Sequence, residues 1–151
     1  MEYRIALIPG DGIGKEVVPE ARRVLDKLFC KYGFQIKYTE FPYSCQHYLE
    51  HGVMAPPGAV EDLKRFDAIL LGAVGDPAVP DHVSLWGLLI PIRRQMDQYV
   101  NLRPVRLLPG VRSPLADRSE KEIDFYVVRE NVEGEYSQIG GRLYADTEQE
   151  M

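Results

Sequence analysis

The stretch YRIALIPGDGIG, residues 3–14, decides how the whole chain is read. Residues 3–8 form a short apolar run that predicts a β-strand. Gly10, Gly12 and Gly14 then alternate through a turn, where glycine's tolerance of φ > 0 lets the backbone reverse. A helix should follow. Val17, Val18, Ala21, Val24, Leu25, Leu28 and Phe29 fall on one face at helical spacing. Pro19 sits in its early turns, where proline does least harm, and Gly33 is suited to end it. Strand, glycine turn and helix suggest a dinucleotide fingerprint. The spacing, however, is G-x-G-x-G rather than G-x-G-x-x-G, and no lysine stands in phosphate-loop register. A tight turn that needs glycine accounts for the spacing more simply.

Outward from this unit, elements alternate. Residues 34–41 read as a second strand, residues 44–51 as a short helix with Gly52 after it, and Pro56-Pro57 opens another helix running through residues 61–65. Residues 68–75, AILLGAVG, are an apolar strand ending in glycines, the pattern of a parallel sheet buried on both faces. A proline-rich loop at 76–81 leads to a helical pattern over 85–96, in which Pro91 removes a hydrogen bond and kinks the helix. Residues 124–128, DFYVV, are short, aromatic and β-branched and read as a buried strand. The alternation predicts an α/β sheet. There is no internal repeat and no low-complexity linker. Residues 146–151 are acidic, without a capping element, and the chain reads as stopping before its fold is complete.

At 151 residues the chain can build one ordinary domain with a real core, and 45% hydrophobic against 27% charged residues describe a globular protein. A net charge of −5 argues against a nucleic-acid partner held by electrostatics. No run approaches the length of a membrane span, and the chain opens into a strand rather than a signal peptide. Cys30 and Cys45, isolated from each other and from histidines, make neither a zinc site nor a disulfide framework, so a reducing cytoplasm is the simplest compartment.

The chemistry concentrates between residues 92 and 136. Arg93, Arg103, Arg129 and Tyr136 stand there in largely apolar surroundings. An arginine is always charged and its planar fork meets a carboxylate two-pronged. A small diacid or triacid needs about this many forks, and the tyrosine adds a proton donor. Any one of these arginines alone reads as a surface residue or an ion-pair partner; their combination points to an anion pocket. Arg129 also stands at the exit of the 124–128 strand, where open α/β sheets place ligands. His47 and His51 have an i, i+4 spacing that could hold a metal. No third ligand stands nearby and the H-E-x-x-H pattern is absent, so an exposed helix face is the better reading. His82, Ser84 and Trp86 follow the apolar strand; the tryptophan suits a core as well as a ligand contact.

Four words in register resemble the β-decarboxylating dehydrogenases, the isocitrate/isopropylmalate dehydrogenase family. They are IPGDGIG (8–14), GAVG (72–75), Arg93 with NLRP (101–104), and VREN (128–131) with GEY (134–136), and they cover nearly the whole chain. The segments DHVSLWG (81–87), DQYV (97–100) and EGEYS (133–137) look most like the branch that acts on tartrate or D-malate. The glutamate that the isopropylmalate branch carries on its specificity helix is absent.

The resemblance implies a doubly wound α/β fold of the isocitrate/isopropylmalate dehydrogenase kind, here incomplete and N-terminal. Residues 1–100 would be the first half of the large cofactor-side domain, and residues 101–151 the start of a second, dimerisation and substrate domain. It implies NAD-dependent oxidative decarboxylation of a small 2-hydroxy diacid, D-malate or tartrate, in a cytoplasmic homodimer. Arg93, Arg103 and Arg129 would grip substrate carboxylates, Ser84 would reach the distal end of the substrate, and Tyr136 would be the general acid. Ile13, Gly75, Asp76 and Pro77 would touch the cofactor. The Mg²⁺ or Mn²⁺ ligands and the general-base lysine lie later in the family's chains, so the 151 residues alone should be inactive. An isopropylmalate or isocitrate dehydrogenase fragment, and a non-catalytic truncated module, are the alternatives.

Overall fold

A computed structural model describes residues 2–116, 118–134 and 140–151. The chain falls into two compact units, Met1–Asp97 and Gln98–Met151. In the first, β1 (Glu2–Gly10) leads through the glycine turn into α1 (Gly14–Tyr32) and then β2 (Gln35–Glu40). Helices α2 (Cys45–His51) and α3 (Ala59–Leu63) precede β3 (Ala68–Ala73), and α4 (Asp81–Ser84) and α5 (Ile90–Gln95) complete the unit. The three strands are parallel in the order β2-β1-β3. This is the α/β class predicted from the alternation of elements.

Alternation along β1 divides the unit into layers. Ala6 and Ile8 face a core with Cys45, Met54, Leu63, Leu88 and Ile92, whereas Leu7 turns to the opposite face. Helix α1 packs there very closely. A Cβ on Gly72 would meet Val18 Cγ2 at 2.9 Å and the Gly14 Cα at 3.0 Å. Gly33 adopts the left-handed conformation at the end of α1 and its N–H donates to the Phe29 carbonyl, and Gly52 ends α2 the same way on Tyr48.

Three burial expectations need correction. β3 is an edge of the sheet, not its middle, so residues 68–73 are half-buried or exposed and the buried strand is β1. The apolar stripe of α1 is only partly covered: Val18 is buried, while Val17, Val24 and Leu28 are 47%, 60% and 39% exposed. The strand at 124–128 exists but is not buried, because among the described residues its unit contains a two-stranded ribbon with no layer over either face.

Pro91 is absorbed without ending the helical run. Residues Leu85–Leu89 widen to π-helical pairing, with the Ile90 N–H reaching back to the Leu85 carbonyl, and α5 continues from Ile90. The wider register takes up the hydrogen bond that proline cannot make. Among the described residues no helix is long and apolar enough to cross a membrane.

Candidate functional site

In the second unit, β4 (Val100–Arg106) and β5 (Asp124–Glu130) form an antiparallel ribbon in which Asn101 lies opposite Arg129 and Arg103 opposite Val127. Side chains alternate across a strand, so Asn101, Arg103, Val127 and Arg129 share one face. Arg103 Nε donates to Asn101 Oδ1 at 3.1 Å, which holds one guanidinium against the ribbon. Asn131, buried just past β5, donates through Nδ2 to the Gln98 carbonyl at 3.1 Å. That bond closes the end of the ribbon where the arginines stand.

Glu130 is occupied by the turn. Its carboxylate accepts from the Val132 N–H at 2.7 Å and the Glu133 N–H at 2.9 Å. The Val132 bond is the largest reason its carboxyl sits below the ordinary glutamate range, with the Arg129 charge a smaller one. Tyr136, the anticipated proton donor, lies outside the described residues.

The other anticipated residues belong to the first unit. Arg93 is carried, partly buried, by α5. Ser84 ends α4; it is buried and its hydroxyl donates to the Asp81 carbonyl at 3.1 Å. Ile13 is 58% exposed at the tip of the glycine turn. The first turn of α1 has no free donors to offer a phosphate. The N–H groups of Gly14, Lys15 and Glu16 donate to the carbonyls of Asp11, Gly12 and Ile13 at 2.9, 3.2 and 3.0 Å. The first turn of α1 is therefore self-satisfied and is no Rossmann cradle.

Sequence reasoning passed over Asp11. Its buried carboxylate accepts from the Cys45 N–H at 2.9 Å, the Gln46 N–H at 3.2 Å and the Gly75 N–H at 3.1 Å. Its own N–H donates to the Ala73 carbonyl at 2.6 Å. With Ser44 Oγ accepting from the His47 N–H, the first-turn donors of α2 are all met, two of them by a negative charge that the helix dipole favours. Burial pushes the Asp11 carboxyl up, but these backbone bonds and the Cys45 thiol outweigh it and leave it below the ordinary aspartate range. Burial and the Asp11 carboxylate push the Cys45 thiol up to about 11, which keeps it protonated and unreactive at neutral pH.

A carboxyl depressed in the native state stabilises the fold above the unfolded aspartate pKa. That stability is lost as the pH falls through the lower native value. Asp11→Asn should therefore show a shallower loss of stability than the unsubstituted protein when unfolding is followed from neutrality into the acid range. Identical acid slopes would remove Asp11 from this role.

A cleft of about 850 Å³ lies between α1 and α2, lined by Lys15, Arg22, Phe41, His47 and His51 among others. None of the anticipated site residues lines it. His47 and His51 stack there at 4.4 Å, each Nδ1 on a backbone carbonyl. Among the described residues no three His, Cys, Asp or Glu side chains gather as a divalent ion requires, so the described residues do not by themselves fit a Mg²⁺ or Mn²⁺ site. The exposed apolar tip at Ile13 and the Gly75 backbone are joined through Asp11.

A family model described as isocitrate/isopropylmalate dehydrogenase matches residues 4–150. The chain is 58% identical over 150 residues to D-malate dehydrogenase [decarboxylating] of Escherichia coli K12, covering 98% of this chain and 42% of that protein. It is 55% identical over 151 residues to tartrate dehydrogenase/decarboxylase of Pseudomonas putida, covering 99% of this chain and 41% of that protein. The chain thus spans about two fifths of the length of the curated relatives it matches. Among solved structures, an isocitrate dehydrogenase from Methylococcus capsulatus superposes with a TM-score of 0.72 at 24% identity, over 95% of this chain and 39% of that one, a likeness of fold.

Proposed function

Since the chain belongs to the isocitrate/isopropylmalate dehydrogenase family, we propose that it is the N-terminal part of an NAD-dependent decarboxylating dehydrogenase, acting on D-malate or tartrate. The observation that carries this reading is the shared face of the β4–β5 ribbon, where Arg103 and Arg129 stand two residues and one strand apart around Asn101. Two planar forks on one face suit a substrate with carboxylates at both ends. The high identity to enzymes named for D-malate and tartrate supports the choice of substrate.

In this mechanism the arginine forks bind and orient the diacid, with Arg93 of α5 as a further carboxylate partner and Ser84 toward the distal end of the substrate. The loops at Ile13 and at Gly75, Asp76 and Pro77 hold the nucleotide. These loops would hold NAD, which would supply the acceptor for the hydride of the carbinol carbon. Tyr136 returns a proton to the carbon that loses CO₂. Mg²⁺ or Mn²⁺ would be held by residues other than those described here, and the active form is a homodimer.

The test is steady-state kinetics of the intact enzyme with NAD on D-malate, tartrate and isopropylmalate. D-malate or tartrate should exceed isopropylmalate in kcat/KM by about 100-fold, since a pocket shaped for a small diacid has no room for an isopropyl tail. An equal or higher value for isopropylmalate overturns the substrate assignment.

A further inference from the structure

We propose that Asp11 is a positioning residue for the cofactor, a buried carboxylate that locks the two loops assigned to the nucleotide into one rigid body. The inference rests on the reading above, in which Ile13 and the Gly75 loop hold NAD.

The geometry is specific. The glycine turn and the loop after β3 come from segments more than sixty residues apart, and both follow strands that end side by side, with Gly10 paired to Ala73. The strand ladder ends there, where Gly10 has φ +74° and Gly12 φ +46°. Beyond that point Asp11 takes over. Its main-chain N–H holds the Ala73 carbonyl and its Oδ2 holds the Gly75 N–H at 3.1 Å. The same Oδ2 accepts from Cys45, and Oδ1 accepts from Gln46 at 3.2 Å, so the start of α2 is tied to the same carboxylate. One side chain thus fixes the relative position of Gly75 and of Ile13, two residues along the turn. Neither loop has another side-chain bond to the other among the described residues. A nucleotide spanning both loops needs them at a fixed separation before it arrives, because ordering them on binding subtracts from affinity. Cys45, kept as a thiol by burial and by the same carboxylate, adds a neutral fourth donor to it.

The experiment uses the intact enzyme and its Asp11→Asn variant, which keeps the shape but loses the charge and one accepting oxygen. KM for NAD should rise about tenfold, while KM for the hydroxy acid and kcat at saturating NAD stay within about threefold. A merely structural role would lower the melting temperature and the active fraction and leave both KM values alone; that outcome overturns the proposal. Asp11→Glu gives the same comparison should the asparagine variant not fold, because its extra methylene moves the oxygens off the three N–H groups while keeping the charge. Failure of both variants to fold makes Asp11 a folding residue and overturns the proposal as well. Absence of NAD-dependent turnover in the unsubstituted enzyme would instead defeat the functional reading itself, on which the loop assignment depends.

Discussion

Replacing Arg129 with lysine lowers kcat/KM for the hydroxy diacid by about 100-fold or more, a loss on the order of 3 kcal/mol in transition-state binding. The charge is retained, so the loss comes from geometry. Arginine presents a planar fork that meets both carboxylate oxygens, whereas lysine presents a point charge on a flexible stem. Arg129 is partly buried on β5, across from Asn101, where lysine would put a single ammonium in place of the two-pronged fork. Arg106→Lys is the matched control. Arg106 lies on the opposite face of the same ribbon, exposed and 3.9 Å from Asp124, and its replacement should leave kcat/KM within about twofold. Steady-state rates of the two variants decide the point; an Arg129→Lys enzyme within threefold of the unsubstituted one removes this arginine from the substrate site.

Gly14→Ala destabilises the first unit by about 3 kcal/mol or more, with a fall in melting temperature of roughly 12 °C or greater. An added Cβ would run into the Pro9 carbonyl oxygen and come within 2.6 Å of the Ala73 backbone nitrogen. Both obstacles are backbone, held by the strands on which α1 rests, so no side chain can swing aside. Gly12→Ala separates this steric effect from conformational strain. Gly12 has φ +46° but nothing within 4 Å of its added Cβ, so the cost is only that of a left-handed residue, about 1–2 kcal/mol. Equal melting temperatures for the two variants would show that the close approach of α1 to β3 is not what demands glycine at position 14.

Much of the first unit is legible from pattern alone. The apolar runs at β1 and β3, the capping Ser44 before α2 and the glycines at 33 and 52 are local signals, and local chemistry placed them. Layering was less legible, since it depends on strand order. An apolar strand looks alike at the centre of a sheet and at its edge, and only pairing puts β1 between β2 and β3. In the second unit, the two-residue spacing of Asn101 and Arg103 reveals a shared face. Its register against Arg129 is hidden, because residues 107–123 make a connection too long to fix pairing by turn geometry. Asp11 was hardest to see. An aspartate between glycines reads as turn chemistry, and its partners are backbone N–H groups 34, 35 and 64 positions away, which no side-chain pattern encodes.

The strand order β2-β1-β3 also sets a timetable for biosynthesis. The central strand β1 is synthesised before both of its neighbours, and Ala73 of β3 follows Gly10 by some sixty residues. At roughly 5–20 residues per second, that interval lasts several seconds. For that time Ala6, Leu7 and Ile8 emerge with one flank unpaired, a nascent segment with the features that chaperones bind. Slowing translation just before residue 68 would lengthen the exposure, and synonymous codons there should lower the soluble yield without changing a single amino acid.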